Sequence, residues 1–137
     1  MGEIRTKVKL SNAVDEALAS LGKLTPAEVR SIELEAIVDT GAVASVLPVH
    51  IVERLGLVVR GQRLAKYADG RSDTVGVTGP VVFEILHRNT IVEALILGDE
   101  VLIGQTVLEM LDLLADCTGR RVIVNPAHPN QPVLNVR

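Results

Sequence analysis

Ile4, Thr6, Val8 and Leu10 alternate with Arg5, Lys7 and Lys9, the period of two that turns one side of a strand to a core and the other to water. Ser11-Asn12 interrupts the alternation. Ala13, Val14, Ala17, Leu18 and Leu21 then recur at helical spacing, which predicts a helix over 13–21 with Asn12 as its N-cap and Gly22 as its stop. Beyond Thr25-Pro26 the β pattern resumes through Val29, Ile32 and Leu34 into the apolar run Ala36-Ile37-Val38. Pro48 to Leu55 reads as a short helix, with proline in the first turn, Val49, Ile51, Val52 and Leu55 apolar, and Gly56 at the end. Strands are expected at 62–67, 72–77, 81–86 and 90–97. Asp69-Gly70 lies between the first two as a hairpin dipeptide in which both positions tolerate positive φ. A further helix over about 105–114 opens with Thr106-Val107-Leu108-Glu109, a capping-box pattern, and gathers Val107, Leu108, Leu111 and Leu114 on one face. An apolar strand at Val122–Val124, a proline-punctuated stretch over Pro126–Pro132 and a last strand at Val133–Val136 complete a mostly β chain with two or three helices.

With 137 residues the chain is sized for one domain, 1–137. Only Tyr67 and Phe83 are aromatic, so Val, Leu, Ile and Ala fill the core and no base-stacking platform exists. Fourteen Lys and Arg against seventeen Asp and Glu leave a net charge of −3 with no basic stripe, which argues against nucleic acid as a partner. A single cysteine, Cys117, excludes an intrachain disulfide framework and a multi-cysteine zinc site, and reads as a small buried hydrophobe. The N-terminus has no apolar signal core, and no run reaches the roughly 18 residues of a membrane span. Met1-Gly2 followed by Thr6 fits a loose acylation pattern without a polybasic second anchor. The expectation is a soluble, cytoplasmic protein with no membrane partner.

Candidate chemistry concentrates at Asp39-Thr40-Gly41-Ala42, directly after Ala36-Ile37-Val38. Asp and Gly are ordinary turn residues, but a carboxylate ending a buried strand is costly unless it is hydrogen-bonded or used. Further along, Val101-Leu102-Ile103-Gly104 is a second apolar run that ends in glycine and enters a helix.

Over about residues 30–116 the chain resembles the retropepsin-like aspartic proteases, single-domain relatives of pepsin found in retroviruses and bacteria. The resemblance rests on Ala36 to Ala42, Ser45-Val46-Leu47-Pro48, the Asp69-Gly70 hairpin, and Leu102-Ile103-Gly104 leading into the last helix. It implies a closed, β-barrel-like fold with one or two short helices and an active site on a homodimer axis. It also implies no cofactor and no metal, and an extended polypeptide as substrate. Each protomer of that family supplies one Asp-Thr-Gly, and this chain has one. Two carboxylates about 3 Å apart cannot both ionise, so one takes a proton from water while the other donates to the peptide carbonyl oxygen. On this resemblance Asp39 is catalytic, and Thr40 hydrogen-bonds across the axis. Gly41 lets the substrate backbone approach, Ala42 lines the pocket, and Val43, Leu102, Ile103 and Gly104 pack the loop. The hairpin tip Tyr67-Ala68-Asp69-Gly70-Arg71 corresponds to the flap that closes over substrate, although a plain surface hairpin has the same pattern. Its charges differ from the glycine-rich retroviral flap. Val43-Ala44 stand where the retroviral enzymes carry acidic residues, which implies more apolar subsites and weaker backbone recognition. The N-terminal strand and helix (1–25) and the C-terminal strands (120–137) are expected at the dimer interface.

The remaining candidates are plain. His50, His87 and His128 are scattered without metal-ligand spacing. Ser45 lacks a nucleophile elbow and reads as a packed small residue. Asp112 and Asp116 read as a solvated helix edge, and Gly76-Val77-Thr78-Gly79 is too short for a phosphate loop. Two functions therefore compete: a homodimeric aspartic endopeptidase, and a dimeric peptide-binding or scaffolding module of the same fold with little or no hydrolysis. A monomeric β domain carrying a chance Asp-Thr-Gly is a third reading.

Overall fold

The computed structural model describes residues 3–137. Met1 and Gly2, with the acylation pattern that begins on them, lie outside it. The alternating N-terminal segment forms β1 (Ile4–Asn12), which pairs antiparallel with β2 (Ser31–Val38) from Ile4 opposite Val38 to Ser11 opposite Ser31. Between them lie α1 (Ala13–Ser20) and a 3-10 turn at Pro26–Glu28. Asn12 caps α1 as expected, its Oδ1 accepting the Asp15 N–H at 3.0 Å. The next elements are β3 (Val46–Leu47), α2 (Val49–Arg54), β4 (Val59–Lys66), β5 (Ser72–Thr78), β6 (Val81–Ile85) and β7 (Arg88–Val92). They are followed by β8 (Leu95–Ile96), β9 (Leu102–Ile103), α3 (Gln105–Leu111), β10 (Leu113–Asp116) and β11 (Arg121–Val124).

Nine of these strands form one sheet in the order β4-β5-β8-β3-β9-β2-β1-β6-β7, and β10 and β11 form a separate pair. The fold is mostly β with a few short helices, as expected, and its curled sheet runs from β4 at one edge to β7 at the other. It wraps one core. Val8, Leu10, Leu47, Phe83 and Ile103 meet Ile51, Val52 and Leu55 of α2 and Val107, Leu108 and Leu111 of α3 in a single buried cluster. Each such side chain contributes about 1.5–3 kcal/mol when fully removed from water. The buried Asn12 joins the N-terminal unit to α2, its Nδ2 donating to the carbonyls of Leu55 (3.0 Å) and Gly56 (3.3 Å).

Several sequence expectations change at the boundaries. The helix expected to reach Leu114 stops at Leu111, because Asp112 adopts the left-handed conformation (φ 54°, ψ 50°) and starts the turn into β10. The strand expected over 90–97 divides into β7 and β8 around Glu93-Ala94. Val133–Val136 forms no strand and joins no sheet among the described residues. β2 runs along one edge of β1 from Ile4 to Ser11, while β6 covers the other edge only from Lys9 to Asn12, which leaves that edge of Ile4–Val8 without a partner strand among the described residues.

Candidate active site

Asp39 sits where β2 runs out, and its surroundings are set by strand order. β2 and β3 follow each other in sequence, yet β9 lies between them, parallel to β2 (Ile37 opposite Leu102, Val38 opposite Ile103) and antiparallel to β3 (Val46 opposite Leu102). The link from β2 to β3, residues 39–45, must therefore arch over the end of β9 and the start of α3. Backbone hydrogen bonds fasten this arch. The Asp39 N–H donates to the Ile103 carbonyl (2.9 Å), the Gln105 N–H to the Ala42 carbonyl (2.7 Å) and the Thr106 N–H to the Val43 carbonyl (3.2 Å). The Gly104 N–H donates to the buried Ser45 Oγ at 2.9 Å.

The first turn of α3 is thus satisfied by the arch itself. Thr106 does not act as the N-cap of a capping box; that position falls to Gly104, whose side-chain-free backbone makes no cap hydrogen bond. A Cβ on Gly104 would stand 2.5 Å from the Ala44 carbonyl oxygen and 2.8 Å from that of Val43, so only glycine fits beneath the arch. Ile103 is buried and Leu102 half-buried.

On top of this support Asp39, Thr40 and Gly41 are exposed and Ala42 is half-buried. The Asp39 Oδ1 accepts the Gly41 N–H at 2.9 Å, which orients the carboxylate by a turn of its own loop. A Cβ at position 41 would lie 3.2 Å from that oxygen, so glycine keeps the turn open. Among the described residues no other group hydrogen-bonds to the Asp39 carboxylate, and no second carboxylate meets it. The Thr40 hydroxyl has no hydrogen bond within the chain among the described residues. Val43 is 75 % exposed beside them, a bare apolar side chain on a loop whose carbonyls are engaged below.

The β4–β5 hairpin carries Tyr67 to Arg71 at its tip. The Tyr67 N–H donates to the Arg71 carbonyl (2.9 Å) and the Gly70 N–H to the Tyr67 carbonyl (3.0 Å). Gly70 alone has positive φ (90°), so the loop is a turn over Ala68-Asp69 closed by a left-handed glycine, and not the two-residue turn its Asp-Gly dipeptide suggests. The Asp69 carboxylate accepts the Arg71 N–H (3.0 Å) and its Nε (2.7 Å), which hold the carboxyl below the usual carboxylate range. The Arg71 guanidinium also lies over the Tyr67 ring, 5.2 Å from its centre. The tip is therefore stapled by its own charges. Val75 and Val77 are buried while Thr74 is exposed, so the side of the hairpin that continues the core bears Arg63 and Ala65 from β4 and Asp73 from β5.

Sequence reasoning overlooked the polar residues that hold the arch and its helix. Ser45 reads as a packed small residue, yet it is the acceptor that fixes Gly104. Asp112 and Asp116 are not a solvated edge. The Asp112 side chain is 12 % exposed and pairs with His128, and Asp116 accepts the Gly119 N–H and the Arg121 guanidinium. Cys117 is exposed in the β10–β11 turn instead of buried. A polar residue at the boundary of two apolar runs was the available signal for Ser45. Among the described residues no three His, Cys, Asp or Glu side chains gather as a metal site, and no helix is long and apolar enough to cross a membrane.

A support that presents an Asp-Thr-Gly loop over a second strand's glycine is the arrangement of an aspartic peptidase. The model of the aspartyl protease family matches residues 25–114, well over half of the chain, and the protein belongs to that family. Among solved structures the chain is similar to the EIAV protease complexed with the inhibitor HBY-793. The two are 24 % identical, the match covers 56 % of this chain and 75 % of that one, and the TM-score is 0.49. No curated protein matches.

Proposed function

We propose that this retropepsin-like protein is a homodimeric aspartic endopeptidase that cuts extended polypeptides between two Asp39 carboxylates, one from each chain. The observation that carries the reading is the state of Asp39: oriented by Gly41, exposed, and without the second carboxylate that acid–base chemistry on a peptide needs. A chain with one Asp-Thr-Gly completes that pair only with a second copy. In the pair, the ionised carboxylate takes a proton from a bound water as its oxygen attacks the carbonyl carbon. The protonated partner donates to the carbonyl oxygen, and collapse of the tetrahedral species passes a proton to the leaving nitrogen. Thr40, whose hydroxyl has no partner in its own chain among the described residues, is the group to bond across the axis. Gly41 leaves room for the substrate main chain, and Val43 offers it an apolar neighbour. The hairpin tip from Tyr67 to Arg71 acts as the flap.

The interface draws on residues 39–43, on the edge of β1 that β6 leaves open over Ile4–Val8, and on the C-terminal segment, where Leu134 and Val136 are exposed. The competing reading, a dimer that binds peptides without cutting them, draws on the charge-stapled flap tip, which costs more to open than a bare glycine loop. One experiment separates them. The protein is diluted across its dimer dissociation range, followed by sedimentation, and incubated with a peptide library at pH 4–7. Cleavage that falls with the dimer fraction supports the proposal. Cleavage proportional to total protein while the chain sediments as a monomer refutes the shared site, and binding without cleavage favours the module.

A further inference from the structure

Asp112, at the C-terminal end of α3, collects the segment of chain beyond β11. Its carboxylate accepts the Asn125 Nδ2 (3.0 Å) and the Val133 N–H (3.0 Å) and meets the His128 Nδ1 at 2.6 Å. Its carbonyl accepts the Asn125 N–H (3.2 Å) and the Arg88 Nη1 (3.0 Å). The buried Arg88 also donates to the carbonyls of Leu111 (3.0 Å) and His128 (2.6 Å), placing its charge where the helix dipole is negative. The charged and titratable groups facing Asp112 are therefore Arg88 from β7 and His128 from the C-terminal segment. From the β10–β11 pair none reaches it among the described residues, Asp116 and Arg121 being paired with each other. At the opposite end of the same seven-residue helix, the Gln105 and Thr106 N–H groups hold the carbonyls of Ala42 and Val43.

We infer that Asp112 is a positioning residue for the Asp39 loop: by clamping residues 125–133 onto the end of α3 it steadies the helix whose first turn holds that loop. The inference rests on the reading of Asp39 as the catalytic group. α3 is too short to stand alone, and Val107, Leu108 and Leu111 fix its buried side but not its two ends. The ends are fixed by the arch and by the clamp. Charge matters to the clamp, since three donors converge on one carboxylate. Asn125 first, then the Val133 N–H and His128, hold the Asp112 carboxyl below the usual carboxylate range. The clamp is thus fully present above an ordinary carboxyl value of about 3.9 and is lost as pH falls through the lowered one. It stays closed in the mildly acid range where a pair of catalytic carboxylates shares a proton.

Amide hydrogen exchange of the full chain at pH 5 and pH 7 tests this, beside a peptidase assay. Asp112→Asn keeps a residue that tolerates the left-handed backbone and removes the charge. Loss of charge-assisted hydrogen bonds should speed exchange about tenfold over 126–133 and also at Gln105 and Thr106, with the β1–β2 amides unmoved. In the assay kcat should fall about tenfold and KM change less than about twofold, as for a loop displaced without losing substrate contacts. His128→Gln, which leaves α3 intact, should move the same amides in the same direction and decides the matter if Asp112→Asn does not fold. Faster exchange confined to 126–133, or unchanged exchange throughout, overturns the proposal. Exchange needs no substrate, so a parent protein without peptidase activity counts against the catalytic reading of Asp39, and the amides of Gln105 and Thr106 still decide this one.

Discussion

Asp39 and Asp15 both sit just past the end of a strand, and their oxygens are used in opposite ways. Asp15 is 4 % exposed and saturated: Arg30 donates to it through its backbone N–H (3.0 Å), Nε (2.8 Å) and Nη2 (3.0 Å), and the guanidinium holds the carboxyl below the usual range against the cost of burial. The same guanidinium lies over Gly56, where a Cβ would meet it, so this ion pair seals the end of α2 as well. Asp39 is exposed and accepts one hydrogen bond from two residues on. A carboxylate that holds a fold together has its donors in its own chain. Asp39, on the proposed function the one that does chemistry, is oriented and left with an open oxygen. The difference separates stability from function by residue.

Exchanging each aspartate for asparagine breaks the comparison most strongly. Asp39→Asn should cut peptide hydrolysis by about 10³-fold or more, since the amide cannot accept the proton of water, while the melting temperature stays at the parent value. Asp15→Asn should do the reverse, with activity per folded protein unchanged and the melting temperature lower by on the order of 5 °C. Acid sharpens the second arm. Because the folded-state value of Asp15 is depressed, its stabilisation is present above an ordinary carboxyl value of about 3.9 and is lost as pH falls through the lowered one. Melting curves between pH 7 and pH 2 should therefore fall less steeply for Asp15→Asn than for the parent. A parent-like acid slope in Asp15→Asn, or full hydrolysis by Asp39→Asn, contradicts the division of roles.

Beneath the two aspartates the supports differ too, and Gly104→Ala probes that. The added Cβ meets the backbone of Ala44 at 2.5 Å, so the arch must rise. Overpacking of this kind costs about 1–3 kcal/mol, and displacing a catalytic loop by an ångström can cost about 10²-fold in rate. Gly61→Ala is the control, because its new Cβ has nothing closer than Arg63 at 3.8 Å. Equal effects of the two substitutions on turnover would remove the arch from the account of the site.

The legible parts of this protein are those coded locally. The alternation of β1, the Asn12 cap, Gly56 ending α2 with φ 62°, and the Asp39 loop after β2 all follow from neighbouring residues. What escaped is long-range. β9 is two residues long, too short for periodicity to show that it slides between β2 and β3. The capping-box pattern at Thr106 misleads because the arch supplies acceptors that a helix in isolation would lack. Asp112 looks solvent-bound on a helical wheel because its partners, Asn125, His128 and Val133, come from a later segment. Val133–Val136 has the composition of a strand, but among the described residues no strand edge receives it. The Asp69-Gly70 dipeptide marks the turn correctly and misstates its type, since Asp69 keeps negative φ while its carboxylate binds Arg71.

The smallest effect expected is at the β4–β5 hairpin tip, and it is the one that sharpens the contrast between exposed groups that act and exposed groups that only pair. Arg71 is bound to Asp69 and lies over Tyr67, all on the surface, where such pairs add little to global stability. Arg71→Ala should therefore leave the melting temperature unchanged. It frees the tip, however, and the chain provides its own reporter: Tyr67 is the sole tyrosine and there is no tryptophan, so emission excited at the tyrosine band comes from the hairpin tip alone. With the cation gone from the ring, the anisotropy of that emission should drop and its dependence on salt should disappear, because screening acts on a pair that no longer exists. If the tip is a flap, KM for a peptide should rise with little change in kcat, since ordering a loosened lid draws on binding energy. If Arg71→Ala loosens the tip and leaves both constants untouched, the β4–β5 hairpin is a surface ornament and the substrate is held by the Asp39 loops without it.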